Sequence, residues 1–452
     1  MNYKELLKRE KDYLSQYAAK SDAPILIKRQ VDEREGCSAD ENAELRLPFQ
    51  RDRDRIIHSR AFRRLMHKTQ IFNANLGDHY RNRLTHTMEV SQIARSISKY
   101  LGLNDELTEA IALGHDLGHT PFGHVGERTL HLLISGNLGN STNNLNEFNY
   151  GGFKHNFQSL QIIDNLEKRT SKYHGLNLSL GVREGILKHT DSKIRIPREV
   201  MRTNKLESTK VEVNYSTLDL ENIKIDKPSF TLEGQVVGIA DEIAQCTHDL
   251  EDGIRAKIIT KEMIMDDKLI NLIIDNKGIN WNDLKETVDY RNILIKFMVG
   301  DLISDVCTTT KDRLAKIDPK KIPNFTNYDD VYHDQLVDFS EGKKELHKNL
   351  SNLITQLVIA SQEVTKSDLK AEFIIKKLFD GYYNHPQQLP DYILNRYYKK
   401  KGKSVDRLKI EDNIHELKKD PEFIRLICDH IGSMTDQYAA REYKKLYEPE
   451  YY

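Results

Sequence analysis

The segments His86-Thr87-Met88-Glu89 and Leu113-Gly114-His115-Asp116-Leu117-Gly118-His119-Thr120-Pro121-Phe122-Gly123-His124-Val125-Gly126-Glu127 decide the reading of this chain. Val90, Ile93 and Ile97 recur at helical spacing, and His86 lies four residues before Val90 on the same face. This predicts a helix from about Tyr80 to Tyr100, closed by Gly102. Asn104 then caps a second helix, with Asp105 and Glu106 in its first turn where the helix dipole favours them. Its inward face is Leu107, Ala110, Ile111 and Gly114; His115 follows Ile111 by four, with Asp116 beside it. Gly114 and Gly118 leave room for a close approach to the backbone. A single histidine on an apolar face is ordinarily a hydrogen-bonded core residue. Two inward histidines with an adjacent inward carboxylate call for a compensating cation. Imidazole and carboxylate suit Mn, Fe, Co, Ni or Zn, and Mg with more water.

A mixed nitrogen and oxygen site takes a fourth ligand, and a third helix offers one. In Thr231 to Asp249, Thr231 reads as the N-cap and Glu233 falls in the first turn. Val237, Asp241, Ala244 and His248 share one face of it, Ile239, Ile243, Cys246 and Leu250 the other. Asp241 is thus a mid-helix carboxylate between small apolar residues, the alternative being a solvated face.

The series His86, His115-Asp116, Asp241 resembles the H…HD…D pattern of the HD-domain phosphohydrolases. Arg83-Leu84-Thr85-His86-Thr87, the run His115 to Glu127, Leu232-Glu233-Gly234-Gln235 with Ala240-Asp241-Glu242-Ile243-Ala244, and Gly432-Ser433-Met434-Thr435-Asp436 together resemble the dGTPase-like deoxynucleoside triphosphate triphosphohydrolases. The resemblance runs from about Arg51 to Tyr447 and implies an all-α fold. It implies one divalent ion on His86, His115, Asp116 and Asp241, with a second magnesium arriving on the nucleotide. Helical spacing puts His124 and Glu127 on one face if a helix opens after Pro121, so that Glu127 orients His124 and raises its pKa towards neutrality. The resemblance implies the same catalytic pair, with His119 towards the phosphates and Arg83 as a phosphate clamp. It places Gln70 near the sugar, His155 near the active site and Asp249 against the sugar 3′-hydroxyl. Gln245 stands where many members carry a tyrosine that packs on the sugar. The implied reaction converts dNTPs, dGTP preferred, to deoxynucleoside and intact triphosphate. The resemblance also implies a homo-oligomer, a hexamer, with nucleotide effectors between subunits. Another HD-type nucleotide phosphohydrolase, or a nucleotide-sensing or nucleic-acid-binding protein, is the alternative.

The chain has 452 residues, net charge −1, 38% hydrophobic and 30% charged residues. This describes a globular protein with ample core and no global field towards nucleic acid or membrane. No apolar run has the length of a membrane span, and the charged N-terminus has no signal-peptide core, which predicts a cytoplasmic protein without membrane contact. Cys37, Cys246, Cys307 and Cys428 read as reduced thiols. Three parts are expected: an N-terminal helix and arm (1–50), an HD catalytic core (51–260) and a C-terminal helical region packed on it (261–452). The first is expected to hold a helix over residues 1–20. Pro48 is expected to open one helix through Lys68, whose arginines either form a solvated, salt-bridged face or meet polyphosphate. Residues 136–152 read as a surface loop, and a hairpin is expected around Val211–Tyr215. The basic segment from Lys193 to Lys210 is either a plain loop or one that closes over phosphates. Tyr397 to Lys403 interleaves aromatics with cations, as single-stranded DNA grooves do, although a solvated helix end is the commoner use. Tyr443, Tyr447, Tyr451 and Tyr452 are read as a subunit contact.

Overall fold

The computed structural model describes residues 3–31, 45–70, 81–135, 150–190, 193–195, 210–213, 215, 217–220, 223–265 and 287–449. The loop of 136–149, Arg198, Arg202 and Lys205, Cys37, Tyr451 and Tyr452 lie outside the described residues.

The first helices are α1 (Tyr3–Tyr13), α2 (Pro48–Ile57), α3 (Arg60–Arg64), α4 (Arg83–Leu101), α5 (Asp105–Gly114), α6 (Gly123–Ile134), α7 (His155–Gln161) and α8 (Leu180–Lys188). Then come α9 (Leu232–Arg255), α10 (Lys261–Met265), α11 (Thr287–Leu314), α12 (Glu341–Ile354), α13 (Gln362–Asn384), α14 (Asp391–Lys400), α15 (Ile414–Leu417), α16 (Pro421–Gly432) and α17 (Asp436–Tyr447). Among the described residues the only sheet is a ribbon of β1 (Lys193–Arg195) antiparallel to β2 (Lys210–Glu212), with Ile194 opposite Val211. The pairing partner of Val211 thus lies seventeen residues upstream, not across a tight hairpin. The fold is all-α, as expected.

Local chemistry sets the three site helices. The Asn82 side chain accepts from Thr85 N to start α4, and Gly102, at φ +67°, ends it in the left-handed region. Asn104 accepts from Leu107 N at the start of α5, and Thr231 from Gly234 N at the start of α9. α9 is the central element. It packs on α4, α5 and α8 on one side and on α11 and α12 on the other, so its apolar residues are buried all round. Val90, Ile93 and Ile97 of α4 meet this core with Leu107 and Ile111 of α5, each burial stabilising by roughly 1.5–3 kcal/mol. α13 covers α6 and carries α16 and α17.

Two elements are shorter than periodicity suggests. α1 stops at Tyr13, and the chain folds back so that Ser21 donates from N and Oγ to Glu10 (2.9 and 2.6 Å). The helix opened by Pro48 breaks after Ile57, because Ser59 Oγ accepts from Phe62 N and starts α3 anew. The tyrosines of the last helix pack within the chain: Tyr443 and Tyr447 stack, Tyr443 meets Phe373, and Tyr447 donates to Lys377 O. Lys400 and Lys401 pair with Glu422 and Asp420, so that charge run is the salt-bridged end of α14.

Candidate active site

Three helices converge at one point. His86 lies in the first turn of α4, His115 and Asp116 directly follow α5, and Asp241 sits in the middle of α9. His86 Nε2 is 2.9 Å and His115 Nε2 3.6 Å from Asp241 Oδ1; His115 Nε2 is 3.4 Å from Asp116 Oδ1. The side chains of His86, His115 and Asp116 are at most 4% exposed, while that of Asp241 is 20% exposed, so the cluster opens to solvent on the α9 side. His115 Nδ1 lies 2.6 Å from Ala112 O, and Nε2 faces the carboxylates with no hydrogen-bond partner. His86 Nδ1 is backed by His248 (3.2 Å), and His248 by Glu89. A ring nitrogen aimed inward and its mate tied outward is how protein imidazoles are fixed for a metal. Burial opposes ionisation of Asp116 and Asp241, yet the adjacent imidazoles hold both carboxyls well below the usual range. The same two carboxylates, against burial, hold His115 at about 9. The donor set, the orphaned nitrogen and the ionised carboxylates fit a divalent ion.

Beyond Asp116 the chain turns sharply. Gly118 lies against the backbone of His155 and Ser159 at the start of α7; its N–H donates to Ser159 Oγ, which donates to His115 O (both 2.8 Å). A side chain at 118 would push α7 away, and α7 carries His155. Phe122 and Gly123 both have φ +62°, and Phe122 N donates to Asp436 Oδ1 (2.8 Å). Asp436 also accepts from the backbone N–H and hydroxyl of Thr69. One carboxylate from the Gly432–Asp436 segment therefore ties together the turns before His124 and Gln70. Lys68, fully enclosed and pushed down to about 7 by burial, donates to His119 O and Gly432 O.

His119 stacks on His155 at 3.9 Å between ring centroids, and His124 meets His119 edge-on at 5.4 Å. Glu127 was expected behind His124. Its Oε2 instead accepts from His155 through N (2.9 Å) and Nδ1 (2.6 Å). His124 itself is exposed and meets the rings of His119 and His155 edge-on. His124 borders a cleft of about 310 Å³ that Gln70, Gln245 and Asp249 also line. Burial, with Asp252 and Asp241 close by, raises the Asp249 carboxyl well above the usual range. Arg83 gives Nη1 to Asp116 Oδ2 (2.7 Å) and leaves Nε and Nη2 without partners. The Arg51–Arg64 segment reaches neither the ligand cluster nor this cleft. Arg53 pairs with Glu106, Arg55 donates to Leu176 O and Asn177 O, and the segment borders a separate hollow of about 770 Å³.

The sequence reading assigned no role to His189, Glu89 or Lys68, and none to Asp436 beyond its place in a motif. His189 and Glu89 carried a local signal: His189 ends a buried helix, and Glu89 lies one turn from His86. Asp436 and Lys68 act over distances in sequence that no periodicity records.

The comparisons with known proteins agree with the geometry. The HD domain family matches residues 83–245, and the phosphohydrolase-associated domain family matches 337–445. A deoxyguanosinetriphosphate triphosphohydrolase-like protein of Geobacter metallireducens is 35% identical over 407 residues, covering 89% of each chain. That of Geobacter sulfurreducens is 35% identical over 417 residues, again 89% of each. That of Bartonella quintana is 34% identical over 411 residues, 89% of this chain and 90% of the relative. Fold and ligand cluster thus define a metal-dependent phosphohydrolase of the HD class. Within that class, the chain belongs to the deoxyguanosinetriphosphate triphosphohydrolase-like family. No helix among the described residues is long and apolar enough to cross a membrane.

Proposed function

We propose that this protein hydrolyses deoxynucleoside triphosphates, dGTP preferred, at the α-phosphorus, releasing deoxynucleoside and intact triphosphate and so regulating dNTP pools. The observation that carries the reading is where buried polar atoms lack partners: Gln70 Oε1, Arg83 Nε and Nη2, His115 Nε2 and His119 Nδ1 gather around one cluster and its cleft. Buried polar groups are normally satisfied, so atoms left free together are reserved for a ligand. His86, His115, Asp116 and Asp241 would hold a divalent ion, which would supply Lewis acidity to the reaction.

The chain's own groups do the rest. Arg83 offers two free guanidinium N–H donors to phosphate oxygens while Asp116 fixes its orientation. His119 and His155 form the imidazole wall beside the α-phosphate, steadied by Glu127. His124, exposed at the edge of the cleft, accepts a proton from the attacking water. The bond that breaks joins phosphorus to the 5′ oxygen, which takes up a proton as it leaves. Asp249 lies against the sugar 3′-hydroxyl, and Gln70 and Gln245 border the sugar. The reading includes a homo-oligomer, a hexamer, with a dNTP effector between subunits.

Chromatographic product analysis tests this, with each dNTP and GTP in Mn²⁺ or Mg²⁺, singly and mixed. The expected products are deoxynucleoside and triphosphate from dGTP, and none from GTP. Turnover confined to mixtures would mark the effector. Orthophosphate or pyrophosphate as product would replace this reading with another HD-type phosphohydrolase activity.

A further inference from the structure

We propose that Arg128 and Asp368 read the edge of the base and set a preference for guanine over adenine. The proposal rests on the reading that the cleft beside the ligand cluster takes a deoxynucleoside triphosphate. Both residues line that cleft of about 310 Å³, which Gln70, Gln245 and Asp249 also border.

α6 and α13 pack against each other, and each brings the same two kinds of side chain to the cleft. α6 brings Val125 and, three residues on, Arg128; α13 brings Val364 and, four residues on, Asp368. Those intervals keep both members of each pair on one helix face. Arg128 also lies four residues past His124, about 6 Å further along α6 at 1.5 Å per residue. The helix therefore runs from the reacting phosphorus towards the base. Ile354 and Ile359 add to the apolar lining. An apolar slot with a few polar groups converging on it suits a flat heterocycle.

Neither charge is taken up by the fold. Arg128 and Asp368 are half-buried, and neither forms a hydrogen bond or an ion pair with a described residue. They are still within electrical reach: burial raises the Asp368 carboxyl, and the Arg128 guanidinium opposes the rise. A base with two adjacent N–H groups beside an oxygen fits both. The carboxylate accepts from the two N–H groups in parallel, and the guanidinium donates to the oxygen. Guanine has that edge, with N1–H and N2–H beside O6. Adenine turns the N1 lone pair to the carboxylate and an amino N–H to the guanidinium, so both contacts repel. Cytosine and thymine each put one donor group on that edge, beside oxygens that a carboxylate repels.

Calorimetric binding of deoxyguanosine, deoxyinosine and deoxyadenosine to the full chain tests this without turnover, and kcat/KM for dGTP, dITP and dATP tests it with turnover. Hypoxanthine keeps O6 and N1–H and lacks the N2 amino group. Deoxyguanosine should bind about tenfold tighter than deoxyinosine, and deoxyadenosine weakest of the three. Asp368→Asn should weaken deoxyguanosine about tenfold, abolish its advantage over deoxyinosine and leave deoxyadenosine within about threefold. Arg128→Gln should weaken deoxyguanosine and deoxyinosine alike, because both carry O6. With dGTP the losses should fall on KM, kcat staying within about threefold. Equal binding of deoxyguanosine and deoxyinosine by the unsubstituted protein overturns the proposal, and so does a guanine preference that survives both substitutions. Either result alongside release of triphosphate removes the base reading and leaves the reaction standing. Guanine-selective binding lost in both variants, with no triphosphate from any dNTP, overturns the reaction and leaves the base reading. Absence of binding and turnover with every base overturns both. If a variant does not fold, the deoxyguanosine–deoxyinosine comparison on the unsubstituted protein still decides.

Discussion

Two buried arginine–aspartate pairs differ in one respect. Arg183 on α8 grips Asp164 with two parallel bonds, Nε to Oδ1 at 2.9 Å and Nη2 to Oδ2 at 2.6 Å, and no buried side-chain atom of the pair is left without a partner. Arg83 on α4 gives Asp116 one bond, and two of its donors stay free. Both pairs are removed from water, so desolvation does not tell them apart. What tells them apart is saturation. The closed pair fastens α8 to the chain after α7, and the open pair keeps hydrogen-bonding capacity for something that arrives later. Glu233 stands between the two: its Oε1 accepts from Ala19 N and Asn104 N, joining the N-terminal arm, α5 and α9, while its Oε2 has no partner.

Substitutions can break this distinction, beginning with the largest expected effect. Asp116→Asn removes a metal-directed charge from the open pair. Turnover should fall by at least about a thousandfold, roughly 4 kcal/mol, with circular dichroism unchanged. A loss below tenfold would remove Asp116 from the chemistry. Arg183→Ala opens the closed pair and strands the Asp164 charge. Urea unfolding should show a loss of about 3–5 kcal/mol, while turnover per folded molecule stays within about threefold. A stable but inactive protein would show that saturation does not separate the two roles.

Glu233→Gln tests pH. Burial raises the Glu233 carboxyl from 4.5 to about 7, so the folded state holds a proton that the unfolded state releases between those values. The stability linked to this group is therefore complete below about pH 4.5 and lost as pH rises through about 7. The glutamine variant, which still has an accepting oxygen, should be more stable than the parent at pH 8 by roughly 2–3 kcal/mol and should lose that part of the pH slope. Parallel stability curves at pH 5 and pH 8 would contradict this. Arg83→Lys has the smallest expected effect. Lysine can still meet Asp116 but cannot fork, so KM should rise about tenfold, near 1.4 kcal/mol, with kcat within about threefold. An unchanged KM would show that the free donors do not meet substrate.

Much of this was legible because its causes are local. Gly102, Asn104 and Thr231 end or start helices through contacts within four residues, and Asp241 shows itself by standing mid-helix among small apolar neighbours. The break at Ser59 was hidden, because the arginine run keeps a helical pattern across it while one hydroxyl restarts the helix. The partner of Glu127 was hidden for another reason. His124 is three residues away and His155 twenty-eight, and the close packing of α7 on Gly118 decides between them. The fold could be read from intervals along the chain, whereas the wiring between imidazoles depends on how the helices dock.

The hold of Asp436 on Phe122 and Thr69 has a consequence for the order in which the protein is made. A ribosome that has reached residue 434 has already joined every metal-directed side chain, yet the turns that present His124 and Gln70 still lack their common acceptor. Domains tend to form as they emerge, N-terminal parts first. Here the turns that present His124 and Gln70 are fastened by a residue joined 314 positions after Phe122 and 367 after Thr69.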